Sequence, residues 1–427
     1  MKKVLIIAYQ FPPMGGSGVQ RTSKFVKYLR DFGWEPVVFT RQVGKMPLKD
    51  ESLLKDIPAG VKVIRTHPWD LTELPGILGL AGKVASRKIL IPDGERLWQV
   101  FSKSRAMKAL YEEAIDLVYT TSYPYSDHLL GACLKKACPE IPWVADFRDE
   151  WTNNPYLLDN PHYGLRMKRE RAMEKQVLLK ADQLITNTPV MQANFIREDK
   201  GLEEKFHVIP NGFDREDFEG LPDTLPENSR FTLSYTGALY GRRKPDVVFE
   251  ALKRLIDGNR IHREKIRVKL IGNYKTGALN ALVEKYELSG IVEILPYMKH
   301  RECLLELAGS DALLLIEGAG PGAEAFYTGK VFEYMNTGRP ILAAIPSRGA
   351  AAGLIRETRT GIVSDCTDVE GTAENIYRLY AEWEQKQSSY HPDREKIAGF
   401  ERKSLTGRLA GVFEKALQNK PTGGMHL

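Results

Sequence analysis

The segment Ala319-Gly320-Pro321-Gly322-Ala323-Glu324-Ala325-Phe326-Tyr327-Thr328-Gly329-Lys330-Val331-Phe332-Glu333-Tyr334-Met335 gathers residue types that suit a nucleotide. Its glycines let the backbone approach a ligand closely. The loop runs into a short helix, and the free N–H groups of a helix start suit phosphate. Lys330 and Glu333 stand one turn apart on that helix. A carboxylate accepts two hydrogen bonds side by side, so Glu333 suits the vicinal hydroxyls of a ribose. Phosphate next to ribose means a nucleotide. The competing reading is an ordinary strand–loop–helix connection with a solvated Lys–Glu pair, and the rest of the chain weighs between the two.

Other segments carry polar groups where strands should end. Gly15-Gly16-Ser17-Gly18 forms a tight turn ahead of Arg21 and would bring backbone N–H groups and Arg21 towards an anion. Its spacing is not Gly-x-Gly-x-x-Gly, so a purely structural turn stands equally open. Gly237 opens a loop that reaches Arg242, Arg243 and Lys244 at the start of a helix. Cations are unfavourable at that end of a helix dipole, which argues for an anion partner over a solvated helix start. Gly272-Asn273 ends another strand. Asp146, Arg148 and Asp149 line a further one. Asp149 is the candidate for positioning an acceptor hydroxyl or taking its proton, with a buried Asp–Arg pair as the structural alternative. His128 reads as a helix cap or a solvated side chain. The sequence has no Asp-x-Asp, so a metal-bridged diphosphate is not indicated and cationic side chains must do that work. Cys133, Cys138, Cys303 and Cys366 match no zinc spacing and read as packing residues.

The elements that must position these groups follow from length and patterning. A chain of 427 residues is expected to form two domains. The first half alternates apolar runs and amphipathic helices: strands at 4–8, 35–40, 61–66, 117–121, 143–147 and 183–186, and helices at 21–32, 103–114, 128–138 and 165–180. Residues 67–102 are less regular. The alternation restarts after a segment at 219–230 rich in Pro, Glu and Asp, with strands expected at 231–235, 266–271, 292–295, 312–316 and 341–345 and helices from about Ala351 onward. This is an α/β pattern of two doubly wound parallel sheets, whose ligands bind outside the carboxyl ends of the strands.

No apolar run approaches the roughly 18 residues of a membrane span. The opening run Val4–Ala8 is too short for a signal peptide and reads as a buried strand, so a cytoplasmic protein is expected. Residues 1–200 hold 30 Lys and Arg against 23 Asp and Glu, while the remainder is nearly balanced. A basic first half favours an anionic partner, either an acidic acceptor or a lipid surface. Two stretches invite peripheral contact with the inner face of a membrane: Leu74–Pro92, and the basic helix face at Arg166–Arg171. An acceptor-covering loop and a solvated helix are the alternatives.

Seven motifs in order resemble the family-four (group 1) retaining glycosyltransferases. They are Tyr9–Gly18 with Gly33-Trp34-Glu35-Pro36, Val144–Trp151, Val208–Asp214, Tyr235-Thr236-Gly237, Lys330–Tyr334 and Phe400–Thr406. The resemblance implies a GT-B fold of two Rossmann-like domains facing a cleft. It places an acceptor domain at 1–220, a linker at 221–230, a nucleotide-sugar domain at 231–395 and a C-terminal helix at 396–427 that returns to the first domain. It implies transfer of a sugar with retention and without metal or cofactor, to a glycan, lipid-linked or small-molecule acceptor; nucleic acid is not an expected partner. Glu333 matches the ribose-binding second glutamate. The first falls eight positions earlier at Ala325, where its neighbour Glu324 would reach the sugar hydroxyls after loop adjustment. The basic pair falls among Arg242, Arg243 and Lys244, with Arg243 and Lys244 preferred. Gly15, Gly16, Gly237, Asn273, Gly322, Lys330 and the loop holding Tyr297 and Met298 complete the donor-binding set, that loop facing the base. A non-catalytic nucleotide-sugar-binding subunit is the alternative, with a GT-B nucleotide-sugar epimerase ranked below it.

Overall fold

The structure is a computed structural model that describes residues 1–44, 49–159, 162, 164–222 and 227–418. It divides into two units, residues 1–211 with 402–427, and residues 212–401.

The first unit is a seven-stranded sheet. Its strands are β1 (Lys2–Ile7), β2 (Trp34–Arg41), β3 (Lys62–Thr66), β4 (Leu117–Ser122), β5 (Trp143–Phe147), β6 (Gln183–Thr186) and β7 (Phe206–Val208), in spatial order β3-β2-β1-β4-β5-β6-β7. All are parallel. β1 is buried from Val4 onward and β4 along its whole length, as expected of central parallel strands covered on both faces. The order reverses between β1 and β4, which makes their carboxyl ends the switch point where a crevice opens. The C-terminal helix Arg402–Gln418 belongs to this unit. Its Leu405, Leu409 and Phe413 sit in the same core as Phe25 and Trp34, with Phe413 edge-on to Trp34 at 5.1 Å.

The second unit repeats the plan with six strands: β8 (Phe231–Thr236), β9 (Ile266–Ile271), β10 (Val292–Leu295), β11 (Ala312–Ile316), β12 (Ile341–Ala344) and β13 (Gly361–Ser364), in order β10-β9-β8-β11-β12-β13. Its switch point lies between β8 and β11. The core is formed by strand residues such as Leu233, Val268 and Leu314 packed against the Asp246–Asp257 and Val369–Glu384 helices.

Several expected boundaries differ. Residues 212–220 group with the second unit because they bond within it. Phe213 N donates to Phe400 O at 3.2 Å, and Arg301 donates to the Glu219 and Gly220 carbonyls at 2.9 Å. Of the expected linker, residues 223–226 lie outside the described residues, and Asn228 is tied to Gly309 O at 2.8 Å. The C-terminal return begins at Arg402 instead of 396, and residues 419–427 lie outside the described residues. The helix expected at 21–32 starts earlier, at Ser17, and ends in a 3-10 turn. The irregular stretch contains a helix, Gly76–Lys88. β7, β13 and the Pro189–Glu198 helix were not expected.

Candidate functional site

In the second unit, the loops after β8 and β11 bring Gly237, Arg242, Arg243, Gly322 and Lys330 together. Gly237 has φ 101°, and a Cβ there would lie 2.6 Å from Lys330 Cε. Only glycine therefore lets the lysine cross the end of β8. Lys330 Nζ donates to the Tyr235 hydroxyl at 2.7 Å, and that hydroxyl donates to Ala238 O at 3.0 Å. Burial, and then the neighbouring Arg243, push the Lys330 ammonium down to about 7 against the pull of Glu317 and Glu333. A cation is thus held where the protein supplies too little negative charge to keep it fully protonated.

Arg243 is fixed by Glu317, the first residue beyond β11. Its Nε lies 2.9 Å from both carboxylate oxygens, and the two side chains are only 12% and 17% exposed. Tyr240 and Phe326 flank the guanidinium with ring centroids at 5.1 and 5.8 Å. Arg242 braces the glycine loop. It donates to Pro321 O at 2.9 Å, and its guanidinium occupies the space that a Cβ on Gly320 would need. Lys244 is exposed, and no hydrogen bond or ion pair to it occurs among the described residues.

Lys330 and Glu333 open the Lys330–Asn336 helix but turn to different partners. Glu333 Oε1 lies 2.9 Å from Nε2 of His300, which opens the helix after the β10 loop. That loop holds Tyr297, 73% exposed, and Met298, whose carbonyl accepts from the Cys303 thiol at 3.6 Å. Asn273 is exposed just beyond β9, where Gly272 packs against the Gly237 carbonyl. Gly322 has φ 74° and starts the 3-10 turn Ala323–Ala325, which leaves Glu324 exposed.

In the first unit the glycine turn is built around cations of its own. Gly16 adopts φ 118°, and its carbonyl accepts from Val19 and Gln20 to start the helix. Gly15 is half-buried beside it. The Arg148 guanidinium fills the place of a Cβ on Gly18 and donates to the Ser122 and Tyr123 carbonyls. Asp149 makes no hydrogen bond among the described residues, and burial raises its carboxyl against the pull of Arg148 and Arg21.

Two expectations are corrected here. Arg21 does not face a ligand anion, and the structural alternative holds. It is fully buried, grips Asp146 with two bonds at 2.9 and 3.0 Å, and donates to the Ile209 and Pro210 carbonyls at 2.8 Å. Its partner lies 125 positions away, a pairing that local spacing does not reveal. His128 neither caps nor meets solvent. It is buried against Phe147, with Nδ1 2.7 Å from Thr120 Oγ1, and burial pushes it down to about 3.

Glu317, Tyr235 and His300 were missed at the sequence level. Glu317 had a readable signal, since it directly follows an apolar strand beside the switch point. Tyr235 and His300 had none beyond membership of motifs already noted.

Two Rossmann-like parallel-sheet units, each with polar loops at its switch point, define a GT-B fold. Residues 16–212, most of the first unit, match the glycosyl transferase 4-like domain family. Among solved structures, a glycosyltransferase from Rickettsia africae is similar at TM-score 0.67 and 14% identity, covering 98% of this chain and 99% of that one. Anabaena HepE in complex with UDP aligns at TM-score 0.65 and 18% identity, over 97% and 100%. Sucrose-phosphate synthase from Thermosynechococcus elongatus aligns at TM-score 0.67 and 15% identity, over 98% and 100%. There is no significant match among curated protein sequences. Family and fold together support a transferase of glycosyl groups.

Proposed function

We propose that this protein transfers a sugar from a nucleoside diphosphate sugar to a hydroxyl acceptor, with retention of configuration and without metal, in cell-surface glycan or glycolipid assembly. The observation that carries the reading is the placement of Lys330 and Arg243 at the switch point of the second unit. A diphosphate leaving group gains negative charge as the bond from its oxygen to the sugar C1 breaks. Fixed cations aimed at that charge lower the barrier, by about 3–4 kcal/mol per good donor. The acceptor oxygen bonds to C1 on the same face, and its proton passes to the departing phosphate. No protein nucleophile is required, and none is assigned. Glu333, set by His300, takes the ribose hydroxyls, and Glu324 reaches the sugar. On the acceptor side Asp149, its carboxyl raised by burial, orients the hydroxyl.

HepE binds UDP, so UDP-sugars come first in a donor panel. Turnover in excess chelator is expected to match turnover without it. Glu333→Ala is expected to lower kcat/KM by about a hundredfold while the unfolding midpoint holds. Unchanged kinetics would remove Glu333 from the site. Binding without donor consumption would instead identify a non-catalytic binding subunit.

Lys330 gives a pH signature. Diphosphate favours the ammonium, whereas the ligand-free side chain loses its proton near pH 7. Nucleoside diphosphate binding above pH 7 should therefore take up close to one proton, and affinity should fall as pH rises through that value. Calorimetry in buffers of different ionisation heat reads this directly, between pH 7.5 and 9 where the phosphates no longer titrate. Lys330→Met should abolish the uptake. Equal proton counts in the two proteins would exclude Lys330 from the anion site.

A further inference from the structure

The Gly76–Lys88 helix of the first unit is amphipathic in reverse. Among the described side chains its buried positions are Gly79, Gly82 and Ser86. A Cβ on Gly79 or Gly82 would strike the carbonyls of Leu74 or Leu71, so the small residues let this helix lie directly on the turn before it. Leu78, Leu80 and Val84 point outward. Leu80 and Val84, four apart, are 63% and 56% exposed, with Leu78 on the flank at 63%. Leu74 and Ile89 extend the apolar surface at the two ends, at 44% and 72%. Trp69, two residues before the turn, packs its exposed ring on exposed Phe101 at 4.5 Å. A helix on a protein in water normally turns such a face inward, and a contiguous exposed apolar patch marks a surface that something covers.

Charge selects the occupant. Residues 74–92 contain Lys83, Arg87 and Lys88 and no Asp or Glu. Lys83 is exposed beside the apolar face. Exposed aliphatic side chains on a segment whose only charged residues are bases are the pattern of a helix lying in the headgroup region of an anionic bilayer. Among the described residues no helix is long and apolar enough to cross a membrane, so such contact would be peripheral. We propose that the Gly76–Lys88 helix docks this protein on an anionic lipid surface, its leucines and valine entering the acyl boundary and Lys83 meeting the headgroups. The proposal stands independently of the transferase reading.

The test is co-sedimentation of the full chain with vesicles. Mixed phosphatidylglycerol–phosphatidylcholine vesicles are expected to bind at least about tenfold more tightly than phosphatidylcholine alone. The double variant Leu80→Asp with Val84→Asp should lower binding to the mixed vesicles about tenfold or more. Lys83→Glu should weaken mixed-vesicle binding and leave any binding to neutral vesicles unchanged. The altered side chains are exposed, so the unfolding midpoint should hold. If the aspartates prevent folding, Leu80→Gln with Val84→Asn serves instead. Absence of sedimentation, equal binding to both vesicle types, or equal binding by parent and double variant would each overturn the proposal. So would a parent dimer in sedimentation velocity that the double variant dissociates, because the face would then be covered by a second copy.

Discussion

Asp146→Ala is expected to destabilise the first unit by about 3–5 kcal/mol, the range for removing one partner of a buried ion pair. Both side chains are fully buried, and each guanidinium bond to Asp146 is close to ideal in length. Tyr119 also donates to this carboxylate, and Thr121 lies 3.4 Å from it. Without it, Arg21 keeps the Ile209 and Pro210 carbonyls but has no anion in a dry site. A loss of this size is a large part of the roughly 5–15 kcal/mol that stabilises a domain. Urea unfolding followed by tryptophan fluorescence reports on this unit, since Trp34, Trp69, Trp98, Trp143 and Trp151 belong to it and only Trp383 does not. The double variant Arg21→Met with Asp146→Leu should lose less than Asp146→Ala, because it buries no orphan charge. A midpoint for Asp146→Ala within error of the parent would mean that the pair does not hold the fold.

Arg243→Ala should lower turnover by about a hundredfold or more while the fold survives. The fold survives because Arg243 sits in a loop and its carboxylate partner keeps some access to water. Turnover falls because Glu317 holds the guanidinium in place before any ligand arrives, and a preorganised donor is worth more than one that must reorient. The same substitution has a second readout. Arg243 lowers the Lys330 pKa by repulsion, so its removal should move the onset of proton uptake to higher pH. An arginine remote from Lys330 would not shift that onset. Near-normal turnover with an unmoved onset would remove Arg243 from the site.

Much of the fold was legible because buried parallel strands leave a plain signal. β5, β6, β9, β10 and β11 occupy the expected spans, each rich in aliphatic or aromatic residues and bounded by polar or turn residues. β13 begins with glycine and is only half-buried over three of its four residues, and β7 is three residues long, so neither gave such a run. In the candidate site the residue types were readable and their partners were not. Lys330 and Glu333 are a helical turn apart, which suggests a shared partner. The lysine instead crosses Gly237 towards β8, and the glutamate turns to His300. Arg21 stayed open between an anion and a structural role for a related reason. An arginine after a glycine turn resembles an anion ligand until a carboxylate on another strand is seen to claim it.

The glycines also constrain how this chain could be engineered. Replacing loop glycines by alanine is a standard way to stiffen a protein, because it removes freedom from the unfolded chain. Gly18, Gly237 and Gly320 would defeat that strategy, since the atoms of Arg148, Lys330 and Arg242 already occupy the space that the new methyl groups need. Each added methyl would evict a cation from its seat, so a thermostability library should leave these three positions untouched.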